Sequence, residues 1–580
     1  MNRLQPNRRE LVVVLLMTAI GGILRIWSPG RLGLVHFDEG IYALAGLWPL
    51  NPKGFWAIDP TVIAYAPGGY PFLVGLASFV VGLGDLTPIL VSILMGTLTV
   101  PLVAWLSWRT FGPTAGAITA TLAAFSGFHI AFSRMALTDV SFLFFFILAI
   151  GLGQRFLERP NALNTIGLGI GVGLAQWFKY HGWLAGAIVI LTAVVNAIRD
   201  PAERQPKRLA SVWGQGACAG LLAFAVFWPW FSFVESHGGY ADLLRHHASY
   251  MQGAGAWLTN LRTQTGQEAL LDHRSGAIET LRFIFLFLVV LLENPSTART
   301  IRRRIIESDF FNALLTAVVV VTPLMPGGGS VWCWGLGLAL MPWLLAWPSK
   351  FRVLGLGWLV FSLLTPLYHP YARLWMPLEA FGWIVYGYFA GAATMASSQW
   401  EGPISESWGQ NKMLASWFVG SLVFVGILFF TASPQSRFVT DDEASVAEPS
   451  DTLRVACRQV QADLPKDLAR LRFLGRPPIT FYLATAGVPL APQPDLNTLL
   501  KPGSPMDWAL VDDALLRQEP DHAGAKVRLK EGWEVVREYP TRFNLPTLLD
   551  ITPGAARGKI EPDAFECPLW LLKPRPQGGR

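Results

Sequence analysis

Two adjacent carboxylates, Asp38 and Glu39, follow an apolar stretch over residues 11–27 that is long enough to cross a membrane. Charged groups at a membrane surface are costly unless they are solvated or used, so this pair is either a solvated loop or a functional site. An aspartate in this position is suited to take a proton from an attacking hydroxyl as a general base. Glu39 is suited to position the acceptor or to tune its neighbour, because two close carboxylates push their pKa values apart.

Polar turns also interrupt the later apolar sequence, at residues 133–139, 179–182 and 368–373. They carry the cations Arg134, Lys179 and Arg373, which are suited to hold a phosphate group and to stabilise it as a leaving group. Each cation also has a simpler explanation. An arginine at a helix end often extends to the lipid headgroups, and Arg134 has a nearby partner in Asp139.

Neighbouring polar side chains complete the candidate site as substrate-binding residues, namely Tyr42, Asp139, Tyr180, His369 and Tyr371. His369 and Tyr371 are also typical of anchors at the membrane interface.

The Asp38–Glu39 pair lacks histidines or further carboxylates at metal-ligand spacing. We therefore predict no metal and no other cofactor, and a divalent cation on the pair is the weaker alternative.

Composition places the chain among membrane proteins. Its 580 residues are 52% hydrophobic and only 15% charged, with a mean hydropathy of +0.38, whereas soluble domains carry about 25% charged residues. The net charge is only +6, and the arginines of the chain lie in short loops, which membrane topology explains without a nucleic acid partner.

Four cysteines exclude a disulfide scaffold, although Cys457 and Cys567 lie in the polar tail and are able to pair in an oxidising compartment.

The basic residues set the orientation of the chain. If the N-terminal Arg3, Arg8 and Arg9 are cytoplasmic, the first helix exits and the Asp38–Glu39 loop lies outside. The apolar segment 70–83 is then a juxtamembrane or re-entrant helix, because a span there would place the later basic loops outside. Thirteen predicted spans remain: 11–27, 87–107, 115–132, 139–157, 163–178, 183–198, 211–230, 276–292, 310–325, 331–347, 352–367, 375–396 and 412–431.

The sequence divides into two predicted domains. Residues 1–432 form a transmembrane domain whose outer loops are 28–69 and 231–275, and residues 433–580 form a small extracytoplasmic α/β domain. The longer loop is suited to bind an acceptor or to act as a lid. Its adjacent His246 and His247 suggest either a metal site or, more commonly, a solvated surface.

The tail carries one helical pattern and several strand patterns. We predict a helix over 452–464 and strands over 470–474, 479–483, 508–511 and 533–539. The Pro- and Gly-rich end, from Gly554 on, is predicted to be loosely ordered.

At the residues singled out above, the sequence resembles the GT-C glycosyltransferases of the protein O-mannosyltransferase and lipid A aminoarabinose-transferase type. The resemblance covers about residues 10–390. It rests on Phe-Asp-Glu-Gly-Ile-Tyr-Ala at 37–43, on the stretch 98–146 with its Ser-Arg-x-x-x-x-Asp, and on the turns Lys-Tyr-x-Gly at 179–182 and Tyr-x-Arg-x-x-x-Pro at 371–377.

The resemblance implies a multi-pass inner-membrane enzyme, a polyprenyl-phosphate-linked monosaccharide donor, and Asp38 as the catalytic aspartate. The sequence departs from the family pattern at one place. Relatives often have Lys-Pro-Pro-Leu or His-Pro-Pro-Leu before the juxtamembrane helix, whereas this chain has Tyr-Ala-Pro-Gly-Gly-Tyr-Pro at 65–71. A cation that would contact phosphate is therefore missing, and phosphate binding is left to other residues.

We therefore predict a membrane glycosyltransferase. It transfers a hexosyl or pentosyl group from a polyprenyl-phosphate donor to a hydroxyl of a protein, lipid or glycan at the outer face of the bilayer. Inversion is expected, because it needs one base, here Asp38, and the sequence marks no separate nucleophile. The alternative is a lipid-linked sugar flippase, although a transporter usually carries paired repeats and ionisable groups near the midplane.

Overall fold

The structure is a computed structural model that describes residues 8–27, 33–47, 64–272, 349–395, 452–493, 495–501, 508–557 and 560–575. Within them, a helical part precedes a five-stranded sheet with its own helices. Four predicted spans, 276–292, 310–325, 331–347 and 412–431, lie outside the described residues.

The helical part contains fourteen described helices. They are α1 (Arg8–Ile26), α2 (Phe37–Leu47), α3 (Gly69–Val81), α4 (Leu86–Phe111), α5 (Pro113–Ala124), α6 (Gly127–Ser133), α7 (Thr138–Glu158), α8 (Ala162–Phe178), α9 (Trp183–Arg199), α10 (Pro206–Ser236), α11 (Gly239–Ala248), α12 (Trp257–Asp272), α13 (Ser349–Leu364) and α14 (Met376–Met395). Short 3₁₀ turns at Tyr180–Gly182, Thr365–Leu367 and Ala372–Trp375 join some of them.

Several of these helices are long and apolar enough to cross a membrane. Among the described residues they are α4, α7, α10 and the segment Tyr180–Arg199, and the bent pair α5 and α6 makes a fifth if it counts as one span. Apolar helices of 10–17 residues also occur, including α3 and α8. The helical membrane architecture agrees with the sequence analysis, whereas the count of thirteen spans stays a prediction.

The predicted span 115–132 is broken in the structure, where α5 and α6 meet at an angle of 59°. The buried Arg25 at the end of α1 explains the break. Its guanidinium donates to the carbonyl oxygens of Ala123 and Ala124, at 3.0 and 3.3 Å, and so binds groups that a continuous helix would use internally. Ser126 then caps α6, because its hydroxyl accepts from the backbone N–H of His129.

The C-terminal part is built on a mixed sheet with the strand order β2-β1-β3-β5-β4. Its strands are β1 (Leu471–Leu474), β2 (Leu490–Pro492), β3 (Trp508–Asp512), β4 (Trp533–Tyr539) and β5 (Leu569–Pro574). β1 runs parallel to β2 and β3, and β5 runs antiparallel to β3 and β4. The helices of this part are α15 (Leu453–Asp463), α16 (Pro477–Thr485), α17 (Leu496–Leu499), α18 (Asp513–Leu516), α19 (His522–Gly532) and α20 (Leu545–Ile551).

The structure corrects two predictions for the tail. The segment 479–483 is not a strand but part of α16, because Pro477 and Pro478 occupy its first turn, where proline's fixed φ favours a helix. The end beyond Gly554 is not uniformly irregular, since β5 pairs with both β3 and β4. The predicted helix at 452–464 and the strands near 470–474, 508–511 and 533–539 are confirmed.

The C-terminal part packs directly on the segment that leads into α2. The hydroxyl of Tyr482 accepts from the backbone N–H of Leu34 at 2.7 Å and donates to Asp85 at 2.8 Å. The guanidinium of Arg476, which is paired with the buried Asp512, donates to the carbonyl of Val35 at 3.0 Å. These contacts fix the backbone just before Asp38.

Gly40 brings α2 and α16 into close contact. A Cβ atom added to Gly40 would lie 2.2 Å from the backbone nitrogen of Pro478 and 2.3 Å from the carbonyl carbon of Pro477. Backbone atoms are unable to move aside as a flexible side chain does, so Gly40→Ala should force the two helices apart, at a cost of about 1–3 kcal/mol. We expect a lower melting temperature for the purified variant, and lower activity because α2 moves.

The matched control is Gly84→Ala, where an added Cβ meets nothing within 4 Å. Equal melting temperatures for wild type, Gly40→Ala and Gly84→Ala would contradict the close packing of α2 on α16.

Candidate active site

The acidic pair lies at the start of α2. Asp38 and Glu39 both occupy the first turn, where negative charge is favoured by the positive end of the helix dipole. The backbone N–H of Asp38 donates to Nδ1 of His36 at 3.0 Å. Tyr42 follows Asp38 by four residues, on the same face of the helix, and is buried with its ring edge-to-face on Tyr70.

Glu39 is buried, and its carboxylate is fully engaged with backbone groups. Oε2 accepts from the N–H groups of Val35 and His36, both at 2.8 Å, and Oε1 accepts from the N–H of Ala136 at 2.7 Å. Burial raises the pKa of Glu39, and the three backbone hydrogen bonds oppose that rise. The geometry therefore makes Glu39 a link between the segment before α2 and the segment after α6.

Two cations lie beside the acidic residues. Lys179, in the turn between α8 and α9, forms an ion pair with Asp139 in the first turn of α7. Arg373, in the 3₁₀ turn before α14, places Nη1 2.6 Å from Asp38 Oδ2 and 3.8 Å from Asp139 Oδ2. Its Nε lies 3.2 Å from Oδ2 of Asp550, a residue of α20.

The carboxylates differ sharply in exposure. The Asp38 side chain is 30% exposed, whereas those of Asp139 and Asp550 are 2% and 3% exposed. Burial acts to raise the pKa of Asp38, but the charge of Arg373 and its hydrogen bond to the carboxylate act against it and leave the pKa below its usual value. Asp38 is thus ionised at neutral pH and is the aspartate of this cluster that an incoming molecule can reach.

Arg134 lies at the C-terminal end of α6. It closes α6 through its backbone N–H, which donates to the carbonyls of Ala131 and Phe132. Among the described residues, the ion pairs to Asp38 and Asp139 come from Lys179 and Arg373. The structure therefore brings two of the three predicted phosphate-binding cations together at the acidic cluster.

Arg373 lies beside a cluster of half-buried aromatic side chains. The ring of Tyr371 lies 5.0 Å from the guanidinium carbon, and the rings of Tyr250 and Tyr368 lie 6.1 and 6.4 Å from that of Tyr371. The backbone N–H of His369 donates to the carbonyl of Tyr250 at 2.8 Å. The segment after α11 is thereby joined to the turn that carries Arg373.

Tyr180, His246 and His247 contact Ala64 and Tyr65, which lie just before α3. The Tyr180 hydroxyl donates to the carbonyl of Ala64 at 2.6 Å and accepts from the indole N–H of Trp230 at 2.9 Å. The ring of His246 stacks on Tyr65 at 4.0 Å, and Nε2 of His247 lies 3.2 Å from the Tyr65 carbonyl oxygen. Burial lowers the pKa of both histidines, so they supply no permanent charge here.

Sequence reasoning missed three residues of this cluster, namely His36, Tyr250 and Asp550. His36 directly precedes the apolar start of α2, and its position next to two carboxylates was the available signal. Asp550 lies in the tail, a few residues after Asn-Leu-Pro at 544–546. The sequence around Asp550 gives no sign of the site, because only the tertiary fold brings this residue to the cluster. In the described part of the chain, no group of three or more His, Cys, Asp or Glu side chains is arranged to hold a metal ion.

Comparison with known proteins relates the chain to other membrane proteins. The sequence signature of the dolichyl-phosphate-mannose-protein mannosyltransferase family matches residues 66–233. No curated protein sequence matches the chain significantly.

Several solved structures are similar to this one. ArnT from Cupriavidus metallidurans, bound to undecaprenyl phosphate, has a TM-score of 0.51 at 13% identity, over 96% of this chain and 97% of that chain. The oligosaccharyltransferase AglB from Archaeoglobus fulgidus, in complex with an inhibitory peptide and a dolichol-phosphate, has a TM-score of 0.46 at 13% identity, over 90% and 71%. At this identity the likeness to ArnT shows a shared fold, and the resemblance predicted from the sequence is confirmed at that level.

Proposed function

We propose that this membrane protein, which has the fold of the GT-C glycosyltransferase superfamily, transfers a monosaccharide from a polyprenyl-phosphate donor to a hydroxyl acceptor. The acceptor is a protein, lipid or glycan at the outer face of the membrane, and the reaction inverts the anomeric centre. The family match over residues 66–233 supports a lipid-phosphate-linked sugar as donor, and ArnT was solved with undecaprenyl phosphate bound.

One observation carries the proposal: two cations and one accessible carboxylate share a single cluster. Lys179 and Arg373 supply the positive charge that a phosphate leaving group needs, and Asp38 is the aspartate with substantial exposure. The charged residues lie at the N-terminal ends of three helices: Asp139 in the first turn of α7, Lys179 in the turn before α9 and Arg373 in the turn before α14. These parts fit a donor whose headgroup lies at the membrane surface and whose tail lies in the bilayer.

The proposed reaction uses these groups in one displacement. The acceptor oxygen attacks the anomeric carbon while its proton passes to Asp38. The bond between the anomeric carbon and the phosphate oxygen breaks, and the polyprenyl phosphate leaves with the electron pair, stabilised by Lys179 and Arg373. Asp139 holds Lys179 in place through their ion pair, and Glu39 holds the segment that carries Asp38.

Donor binding also prepares the base. In the structure Asp38 is paired with Arg373 at 2.6 Å, and a carboxylate in such a pair is a poor proton acceptor. A donor phosphate competes with Asp38 for the same guanidinium, so its arrival loosens the pair and makes Asp38 more basic. The proposed order is therefore binding of the donor first, followed by proton transfer from the acceptor to Asp38.

The direct test of this function is mass spectrometry of candidate acceptors after incubation with the purified protein and a polyprenyl-phosphate sugar. We expect one acceptor class to gain the mass of one monosaccharide residue in a donor-dependent manner. Absence of any gain with hexosyl and pentosyl donors, across protein, lipid and glycan acceptors, would contradict the proposal.

The proposal also fixes the topology, because the cluster must face the side on which the acceptor lies. The N-terminus and residues 293–309 should be cytoplasmic, and residues 433–580 should be outside, as the positive-inside rule indicates. Alkaline phosphatase and green fluorescent protein, each fused at Arg303 and at Pro449, should give opposite signals at the two positions. Matching signals would contradict the orientation and, with it, the placement of the site.

A further inference from the structure

Asp550 lies in the same charged cluster as Asp38, although it belongs to the C-terminal part of the chain. Its helix, α20, is capped by Asn544, whose side chain accepts from the N–H of Thr547 at 3.0 Å. The buried Leu548 and Leu549 of α20 share a core with the helical part, and Gln267 of α12 donates to the carbonyl of Leu549 at 3.2 Å. The C-terminal part thus carries Asp550 into the cluster on a packed helix.

A single oxygen of Asp550 faces two partners. Oδ2 lies 3.2 Å from Nε2 of His36 and 3.2 Å from Nε of Arg373. Both partners also contact Asp38: Nδ1 of His36 accepts from its backbone N–H at 3.0 Å, and Nη1 of Arg373 donates to its carboxylate at 2.6 Å. Asp550 therefore lies beside His36, which contacts the backbone of Asp38, and beside Arg373, which contacts its side chain.

Each of these contacts constrains Asp38. Nδ1 of His36 accepts the hydrogen bond from the Asp38 N–H, so a ring proton is available on Nε2, and the negative charge of Asp550 at 3.2 Å from Nε2 holds the ring in this orientation by electrostatic attraction. Arg373 donates a hydrogen bond to Asp38 through Nη1, and its Nε lies at ion-pair distance from Asp550, whose oxygens accept no well-aligned hydrogen bond from the described residues. The negative charge of the buried Asp550 therefore attracts the guanidinium and holds it beside Asp38. A carboxylate that orients a second group in this way commonly affects activity 10- to 100-fold in the related setting of metal ligands.

Charge balance shows what Asp550 does not do. The cluster already holds Asp38 and Asp139 against Lys179 and Arg373, so another buried carboxylate weakens, and does not strengthen, the attraction for a phosphate. Burying that carboxylate, at 3% exposure, also carries a desolvation cost that only its partners offset. Its contribution is therefore to geometry.

We propose that Asp550 is a positioning residue for Asp38, supplied by the C-terminal part and acting through His36 and Arg373. This inference rests on the proposed function, in which Asp38 is the base. It gives the C-terminal part a direct role in the reaction, because the active site is incomplete without α20.

The test uses the full-length purified protein with Asp550→Asn, which keeps the size of the side chain and removes its charge. We expect kcat to fall by about 10- to 100-fold, while KM for donor and acceptor stays within a few-fold and the melting temperature stays near that of wild type. The matched control is Asp463→Asn, since Asp463 pairs with Arg537 on an exposed side of the same C-terminal part and should leave kcat unchanged.

A double-mutant comparison separates positioning from general damage. His36→Asn keeps an acceptor for the Asp38 N–H and removes the group that faces Asp550. If Asp550 acts partly through His36, Asp550→Asn should cost less in the His36→Asn background than in wild type.

Three outcomes would overturn the inference. A kcat within twofold of wild type in Asp550→Asn would do so, and so would a joint fall of kcat and melting temperature, which indicates a structural role only. Full activity in Asp38→Asn would overturn the proposed function and this inference together, whereas the first two results leave the proposed function standing.

Discussion

Asp38→Asn is expected to lower turnover by about 10²- to 10⁴-fold, the usual cost of losing a general base. The amide keeps the shape of the side chain, so α2 and its contacts with α16 should persist. Donor affinity should be equal to wild type or higher, because the amide no longer competes with the phosphate for Arg373 as an ion does. The measurement is kcat at saturating donor, together with the donor Kd.

The matched control for this variant is Asp242→Asn. Asp242 lies on α11 in an exposed ion pair with Arg245 and does not contact the cluster, so its substitution should leave both quantities unchanged. Turnover of Asp38→Asn within a few-fold of wild type, at equal protein amount, would refute Asp38 as the base.

Arg373→Ala should weaken donor binding by about 10- to 100-fold, since a hydrogen bond to a charged group contributes about 1.5–3 kcal/mol. The rate should fall as well, because the leaving phosphate loses its stabilisation. Arg373→Lys should recover only part of the affinity, because lysine cannot reproduce the planar fork that faces Asp38 with Nη1 and Asp550 with Nε.

Arg245→Ala is the matched control, because Arg245 is an exposed arginine of α11. Melting temperatures of the Arg373 variants show whether the carboxylates around the lost guanidinium disturb the fold. An arginine that merely reaches the lipid headgroups would be fully replaced by lysine. Wild-type donor affinity in both Arg373 variants would therefore make Arg373 an anchor and not a ligand.

Local sequence patterns predicted the long helices well, because length and apolarity are properties of the segment itself. The predicted span 139–157 corresponds to α7 (Thr138–Glu158), and 163–178 corresponds to α8. The break between α5 and α6 was missed, because it depends on Arg25, which contacts Ala124 across 99 residues of sequence. No window of sequence around the break contains that information.

Composition also misled two assignments in the tail, for different reasons. The segment 479–483 is rich in β-branched and aromatic residues, yet the preceding Pro477 and Pro478 favour the first turn of a helix. Conversely, β5 lies in a region whose prolines and glycines suggested loose order, and its two sheet neighbours stabilise it. Tertiary pairing outweighed local propensity in β5, whereas in α16 one local signal, the two prolines, outweighed another.

The candidate site was predictable where ionisable residues interrupt apolar sequence. Asp38, Asp139, Lys179 and Arg373 stand out for that reason, and the structure joins them by ion pairs. Asp550 lies in a polar domain, where one more aspartate attracts no attention. Its place in the cluster arises from the packing of α20 on the helical part, which only the folded chain reveals.

The central claim, that the chain moves a sugar from lipid to acceptor, is tested most directly with a radiolabelled sugar on polyprenyl phosphate in vesicles containing the purified protein. We predict that the label leaves the lipid, enters the acceptor at the outer face, and releases one polyprenyl phosphate for each sugar transferred. Movement of the label across the bilayer while it stays attached to the lipid, with none in the acceptor, would identify a flippase and contradict the account.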